Sequence, residues 1–172
     1  MSGVMAKAET RGANEAQAPL RLEEFLPYRL NVVASLVSQA LSRIYVERYG
    51  IGVPEWRILV TLGQFETMTA KAIGTHSHMH KTKVSRAASA LERRKLIMRR
   101  EKRADRREAF LSLTPVGRAI YRDLAPGAIE FANALIENID PADRAAFERA
   151  VTRLTEQSMI LTATPAGPKS AR

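Results

Sequence analysis

The sequence predicts a mainly α fold in which two helices joined by a short turn lead into a basic two-stranded hairpin, with longer helices on either side. Three observations carry that prediction. Apolar residues recur at spacings of three and four along both flanks and through the middle of the chain. Pro54, Pro115 and Pro141 each stand where such a period begins, the position in which proline suits a first helical turn. Residues 79–117 hold twelve Lys or Arg against four acids, which leaves +8 of the chain's formal +9 in under a quarter of its length.

Residues 1–20 contain no aromatic residue and no apolar period, and read as a disordered arm. Residues 162–172 read the same way, so the ordered body is expected over 21–161. Leu22, Phe25 and Leu26 suggest a short turn before Pro27. A helix is predicted from about Tyr28 to Tyr49, with Leu30, Val33, Val37, Leu41 and Ile44 on one stripe and Gly50 ending it. Gly52 serves as N-cap of the next helix, with Pro54 and Glu55 in its first turn and Trp56, Leu59, Val60 and Leu62 facing inward.

A short helix is expected over about Thr69 to Thr75, and another over about Lys81 to Arg94. The latter turns Val84, Ala87, Ala88 and Leu91 inward and leaves Lys81, Thr82, Lys83, Ser85, Arg86 and Ser89 outside. That pair has the pattern of a helix-turn-helix. Ile97 to Lys102 and Ala109 to Leu113 read as two strands, joined by the charged turn 103–107. Thr114 caps a further helix that bends at Pro126-Gly127, where an amide is missing, and resumes to about Asn138. Asp140 caps the last helix, whose stripe of Phe147, Ala150, Val151, Leu154 and Leu161 suits a subunit interface better than a core, since little other core remains to cover.

Composition narrows the function. A chain of 172 residues with 45% hydrophobic residues supports one domain and an appended dimerising part. The absence of cysteine excludes disulfides, thiolate metal sites and thiol redox sensing. No apolar run approaches the ~18 residues of a membrane span, and no secretory leader is evident, so a cytoplasmic protein is expected. The basic balance favours an anionic partner. A membrane surface is disfavoured because no long basic amphipathic face carries exposed aromatics. No nucleophile–base–acid arrangement, phosphate-cradling glycine loop or paired carboxylates stand out, so no enzyme and no cofactor are expected.

Three segments carry a resemblance: PEWRILVTLG at 54–63, KTKVSRAASALERRKLI at 81–97 and DRREAFLSLTPVG at 105–117. Together, over roughly 26–160, they resemble the MarR family of winged helix-turn-helix regulators. The last segment is the most specific, an Asp-Arg-Arg turn running into Leu-Thr-x-x-Gly. The opening LPYRLNVVASLVSQAL at 26–41 is similar to a MarR subgroup that controls breakdown of aromatic acids, including hydroxycinnamates. The resemblance implies a winged-helix lobe over 52–113, dimerisation helices over 21–51 and 114–161, a homodimer, and a pseudo-palindromic duplex DNA operator. Two positions depart from the family pattern: Lys95 stands where glycine usually follows the recognition helix, and His80 where an aspartate cap is common.

Candidate site residues follow. The major groove admits one α-helix and its base edges are read by Arg, Lys, Ser and Thr, which nominates Lys81, Thr82, Lys83, Ser85 and Arg86. Arg106 at the hairpin tip, with Arg103 second, suits the narrow minor groove, while Arg107 is as well suited to a structural role. Asp105 is expected to hold a neighbouring arginine. His76, His78 and His80 invite a metal reading, but no acid or cysteine completes a site, so a polar turn facing phosphate is favoured. Their charging at mildly acid pH is expected to strengthen DNA binding. By resemblance, Phe25, Tyr28, Arg29, Asn31 and Trp56 lie where a small aromatic acid or aryl-CoA thioester would bind, Arg29 holding its anion. The alternatives are Trp56 as plain core and Arg29 as an ion-pair partner.

The resulting expectation is a homodimeric, ligand-responsive repressor of aromatic-acid catabolism. Its rivals are a sequence-tolerant architectural DNA-binding protein, a module whose basic face meets an acidic protein, and a MarR-type regulator of efflux or stress genes with another small anion.

Overall fold

The computed structural model describes the backbone of residues 19–102 and 105–164, and the side chains of 19–100 and 109–164. Its element order is α1 (Leu26–Tyr49), α2 (Val53–Phe65), β1 (Thr67–Thr69), α3 (Ala70–His76), α4 (Lys81–Arg93), β2 (Ile97–Lys102), β3 (Asp105–Leu113), α5 (Pro115–Ile136) and α6 (Pro141–Ala163). The fold is mainly helical with a small antiparallel sheet, as expected. The chain divides into two units, one up to Gln39 and one from Ala40 onward.

In the first unit, a turn closed by Glu24 N–H to Arg21 O (3.1 Å) and Phe25 N–H to Leu22 O (3.1 Å) precedes α1. The helix starts at Leu26, two residues before the predicted Tyr28, because Pro27 fits a first turn whose amides need no helical acceptor. Leu22, Phe25, Tyr28, Leu30, Val33 and Leu36 are all exposed.

The second unit holds the core. Ile58, Leu59 and Leu62 from α2, Ile73 from α3, Val84, Ala87, Ala88 and Leu91 from α4, and Ile97, Leu111 and Leu113 from the sheet form one buried cluster with Tyr45, Ile51, Trp56, Leu96 and Leu124. The four inward positions predicted for α4 are all buried. Gly52 caps α2 as expected, with extended backbone (φ −81°) and Pro54 in the first turn. Thr69 Oγ1 accepts from Ala72 N–H at 3.1 Å and caps α3.

Two features of the sheet correct the sequence-based expectation. It has three strands, in the order β1-β3-β2, because Thr67–Thr69 pairs with Ser112–Phe110. A strand of three residues is too short to show alternation in sequence. The second correction concerns β3, which begins at Asp105 rather than Ala109, with Lys102 paired to Asp105. Arg106 and Arg107 therefore lie on a strand and not in the turn, and Arg103 lies outside the described residues. Between the Lys102–Asp105 and Glu101–Ala109 pairs, β2 takes one step while β3 takes four. Residues 106–108 form that bulge, a device that re-aims side chains at a hairpin end.

Helix α5 runs unbroken through Pro126 to Ile136. Helix α6 extends to Ala163, two residues past the predicted end of the ordered body, and not one of its residues is buried.

Candidate nucleic-acid interface

Helix α4 is built by its two ends. At its start, His80 replaces the expected aspartate cap, and its imidazole Nδ1 accepts from Thr82 N–H at 3.3 Å. The helix is therefore capped without an aspartate. At its end, Leu96 N–H reaches Leu91 O and Lys95 N–H reaches Glu92 O, both at 2.9 Å. This is a Schellman motif, with Lys95 at φ +57° in the place that usually calls for glycine. The turn from α3 is tight: a Cβ on Gly74 would lie 3.1 Å from Met79 O.

Between those ends, Lys81, Thr82, Lys83, Ser85 and Arg86 are all exposed, while Val84, Ala87 and Ala88 face the core. The first turn of α4 contains no acid. Two lysines at the positive end of a helix oppose its dipole, at a cost of about 0.3–1 kcal/mol each. A local rule broken on an exposed face points to a ligand that supplies negative charge, and phosphate is the simplest. Among the described residues, none of Lys81, Lys83 or Arg86 forms an ion pair.

The basic run divides by role. Arg99 on β2 donates Nε and Nη2 to the two carboxylate oxygens of Glu92, both at 3.0 Å. That fork ties the wing to α4, and the hydrogen bond to Glu92 raises the Arg99 pKa further above its ordinary value. Arg94 donates to the carbonyls of Tyr49 (2.6 Å) and Gly50 (3.2 Å). Arg93 and Arg100 remain exposed beside them.

The exit of the wing is pinned to the end of α4. Thr114 N–H donates to Leu96 O at 3.0 Å, Thr114 Oγ1–H donates to Lys95 O at 2.7 Å, and Thr114 Oγ1 accepts from Gly117 N–H at 3.1 Å. Gly117 sits so close to the Leu96 carbonyl that no side chain fits. The Leu-Thr-x-x-Gly pattern is thus a latch, with Leu113 buried in the core, Thr114 bridging and Gly117 giving room.

The three histidines have three separate roles. His76 packs edge-on against Phe65 (4.8 Å between ring centres), His78 takes φ +50° in the turn, and His80 caps α4. Among the described residues no group of His, Asp and Glu is placed to hold a metal. As the acceptor in that hydrogen bond, the His80 Nδ1 carries no proton.

Of the residues nominated for an effector, Phe25, Tyr28, Arg29 and Asn31 are exposed in the first unit. Trp56 is buried in the second unit, stacked on Tyr45 at 5.0 Å, and burial raises the Tyr45 pKa. A cavity of about 780 Å³ lies beside the recognition helix, lined by Lys71, Thr75, Met79, His80, Lys81, Ser85 and Arg99 among others. Its residues come from α3, the turn after it, α4 and β2, which only the fold brings together, so no single local pattern marks it.

Residues 51–109 match the MarR family profile, which covers α2 through the wing. Over that segment, about a third of its length, the chain is similar to the MarR family. Members of this family are DNA-binding transcriptional regulators rather than enzymes. No curated protein sequence matches the chain. Among solved structures, the MarR-type fold recurs in a MarR/EmrR family transcriptional regulator from Acinetobacter sp. ADP1 (TM-score 0.74, 24% identity, 81% of this chain and 98% of that one). It recurs also in Sco3205, a MarR family regulator from Streptomyces coelicolor in complex with DNA (0.71, 22%, 84% and 92%). A third case is Bordetella bronchiseptica BpsR, whose DNA binding is regulated by 6-hydroxynicotinic acid (0.63, 19%, 74% and 98%). Among the described residues no helix is long and apolar enough to cross a membrane.

Proposed function

We propose that this MarR-type regulator is a homodimeric repressor that binds a pseudo-palindromic operator and is released by an aromatic acid or its CoA thioester. The observation that carries the reading is the exposed basic face of α4, whose Lys81, Lys83 and Arg86 form no ion pair among the described residues, with cations where a free helix would favour acids. Lys81, Thr82, Lys83, Ser85 and Arg86 read the major groove, and Arg103, Arg106 and Arg107 of the wing reach the flanking minor groove.

Dimerisation is supported by the terminal helices. Helix α6 is 23 residues long with nothing buried, and Phe147, Val151, Leu154, Ile160 and Leu161 all face solvent in the single chain. A helix that leaves such a stripe bare needs a partner surface. Exposed Leu30, Val33 and Leu36 on α1 have the same requirement. In a twofold dimer the two recognition helices meet half-sites about one helical turn apart.

The aromatic-acid reading draws on the likeness of residues 26–41 to that subgroup and on the effector named for BpsR. Arg29 is exposed and suits a carboxylate. A second location is favoured by the cavity behind α4, which has the volume of a small-ligand site and Lys71 in its lining. A ligand there would touch the recognition helix itself.

The test is fluorescence anisotropy of the full chain on DNA flanking its own gene, with a scrambled duplex as control. p-Coumaroyl-CoA and the free acid are the probes, and Arg29→Ala and Lys71→Ala locate the site. Tight binding to the native fragment, released by one ligand, is expected. Arg86→Ala should lose about 1–3 kcal/mol of operator binding and relax base choice. Equal binding to both duplexes with steep salt dependence would instead mark an architectural protein.

A further inference from the structure

Three elements of the second unit meet at the last turn of α1. Arg94, the C-cap of the recognition helix, turns away from the α4 outer face and donates Nη2 to Tyr49 O at 2.6 Å and Nη1 to Gly50 O at 3.2 Å. A guanidinium suits this place, since the helix leaves its final carbonyls without amide partners and carries negative potential there. Two consecutive carbonyls need two donors in a fixed fork, which arginine has and lysine lacks. On the same turn, the Tyr49 hydroxyl donates to Asp123 Oδ2 of α5 at 2.7 Å, and Arg48 pairs with that same oxygen at 2.8 Å. The Arg48 guanidinium also stands 5.8 Å from the Tyr49 ring centre.

Helix α4 packs chiefly on α2 and α3 through small and aliphatic side chains. Such packing sets a crossing angle only to within about 15–20°, and directional bonds at the last residue of the helix narrow that range at that end. We propose that Arg94 and the Tyr49–Asp123–Arg48 cluster form a clamp that sets the angle of the recognition helix against the end of α1 and against α5. Arg94 is a positioning residue and does not touch DNA. The clamp rests on the dimeric DNA-binding reading above, and its consequence is a sharp preference for one half-site spacing.

The experiment uses the full-length protein and the strongest duplex it selects from random-sequence DNA. That duplex is compared with versions carrying one or two base pairs inserted at the centre. The wild type should bind the selected spacing best by about tenfold or more, and Arg94→Ala should lose about tenfold on that spacing while little changes on the others. Arg94→Lys should rescue only part of the preference. Asp123→Asn separates the clamp from simple electrostatics, because it removes an acid from a DNA-binding protein. Charge alone predicts tighter binding on every duplex; the clamp predicts weaker binding on the selected spacing and a flattened preference. Tyr49→Phe removes one hydroxyl at a partly exposed position, and should flatten the preference even if the charged variants fold poorly.

The proposal is overturned if Arg94→Ala weakens all spacings equally with the salt slope reduced by about one, the mark of a lost phosphate contact. It is overturned also if the variants melt lower but keep the full spacing preference. If Arg86→Ala abolishes specific binding while Arg94→Ala keeps the preference, only the clamp falls. If the wild type binds all spacings alike, the reading as a dimer on a symmetric operator falls and the clamp with it.

Discussion

Replacing Gly117 by alanine probes the latch that joins the wing to α5. A Cβ there would lie 2.9 Å from the carbonyl carbon of Leu96 and closer still to its oxygen. A carbon in contact with a carbonyl oxygen stands about 3.3 Å away at the nearest. The opposing atoms are backbone, so no rotamer change relieves the overlap, and either the start of α5 or the α4–β2 turn must move. That motion disturbs Leu96 O, which accepts from Thr114 N–H at 3.0 Å and from its hydroxyl at 3.2 Å, and it strains the Gly117 N–H to Thr114 Oγ1 cap at 3.1 Å. Overpacking costs about 1–3 kcal/mol. A weakened N-cap adds about 1 kcal/mol, and alanine's better helix propensity returns about 1 kcal/mol. The net is a loss of about 1–3 kcal/mol, or a fall in Tm of about 2–12 °C for a chain of this size. Thermal melting followed by circular dichroism, at matched protomer concentration, measures it. A rise of about 2–4 °C, which propensity alone requires, would refute the latch.

Lys95→Gly should act in the opposite direction: relieving a left-handed lysine at φ +57° stabilises by about 1 kcal/mol, and an unchanged urea midpoint would contradict it. His80→Ala should cost about 0.5–1 kcal/mol of stability through the lost cap, while His80→Asp should keep the cap and weaken DNA binding by placing an anion near phosphate. If both melt like the wild type, the 3.3 Å contact contributes nothing. The hydrogen bond to Asp123 raises the Tyr49 pKa, which favours the neutral hydroxyl in the folded state. Any stability it contributes is therefore present below the ordinary tyrosine range, about pH 10, and is lost as pH rises through the folded value. Ultraviolet titration should show two late-ionising tyrosines, Tyr45 and Tyr49, of which Asp123→Asn returns only Tyr49 towards the ordinary range; no change on that substitution would refute the assignment.

The recognition helix was legible because its signal is local. The apolar positions Val84, Ala87, Ala88 and Leu91 repeat at helical spacing, and what they leave over is the basic face. Gly52, Thr114 and Asp140 were readable as caps because a cap depends on one residue and its next three neighbours. The remainder depends on contacts between distant parts of the chain. Strand β1 exists only because β3 lies beside it, and β3 starts early because the bulge at 106–108 absorbs the extra residues. The division of the arginines was hidden for the same reason. Arg94 and Arg99 look as available for DNA as Arg86, yet one is engaged by carbonyls 44 and 45 residues away and the other by Glu92 across the α4–β2 turn. His80 shows the reverse case, in which a residue outside the usual capping set does the job with a ring nitrogen.

The central claim is that the basic face of α4 reads DNA sequence as one half of a symmetric pair. The most direct measurement is selection of duplexes from a random-sequence pool by the full-length protein at about 150 mM salt, near the ionic strength of a cell. Enrichment of a pseudo-palindrome with half-sites about 10 bp apart, lost when Arg86 is replaced by alanine, is the predicted result. Binding without enrichment of any sequence, unaffected by Arg86→Ala, would contradict it.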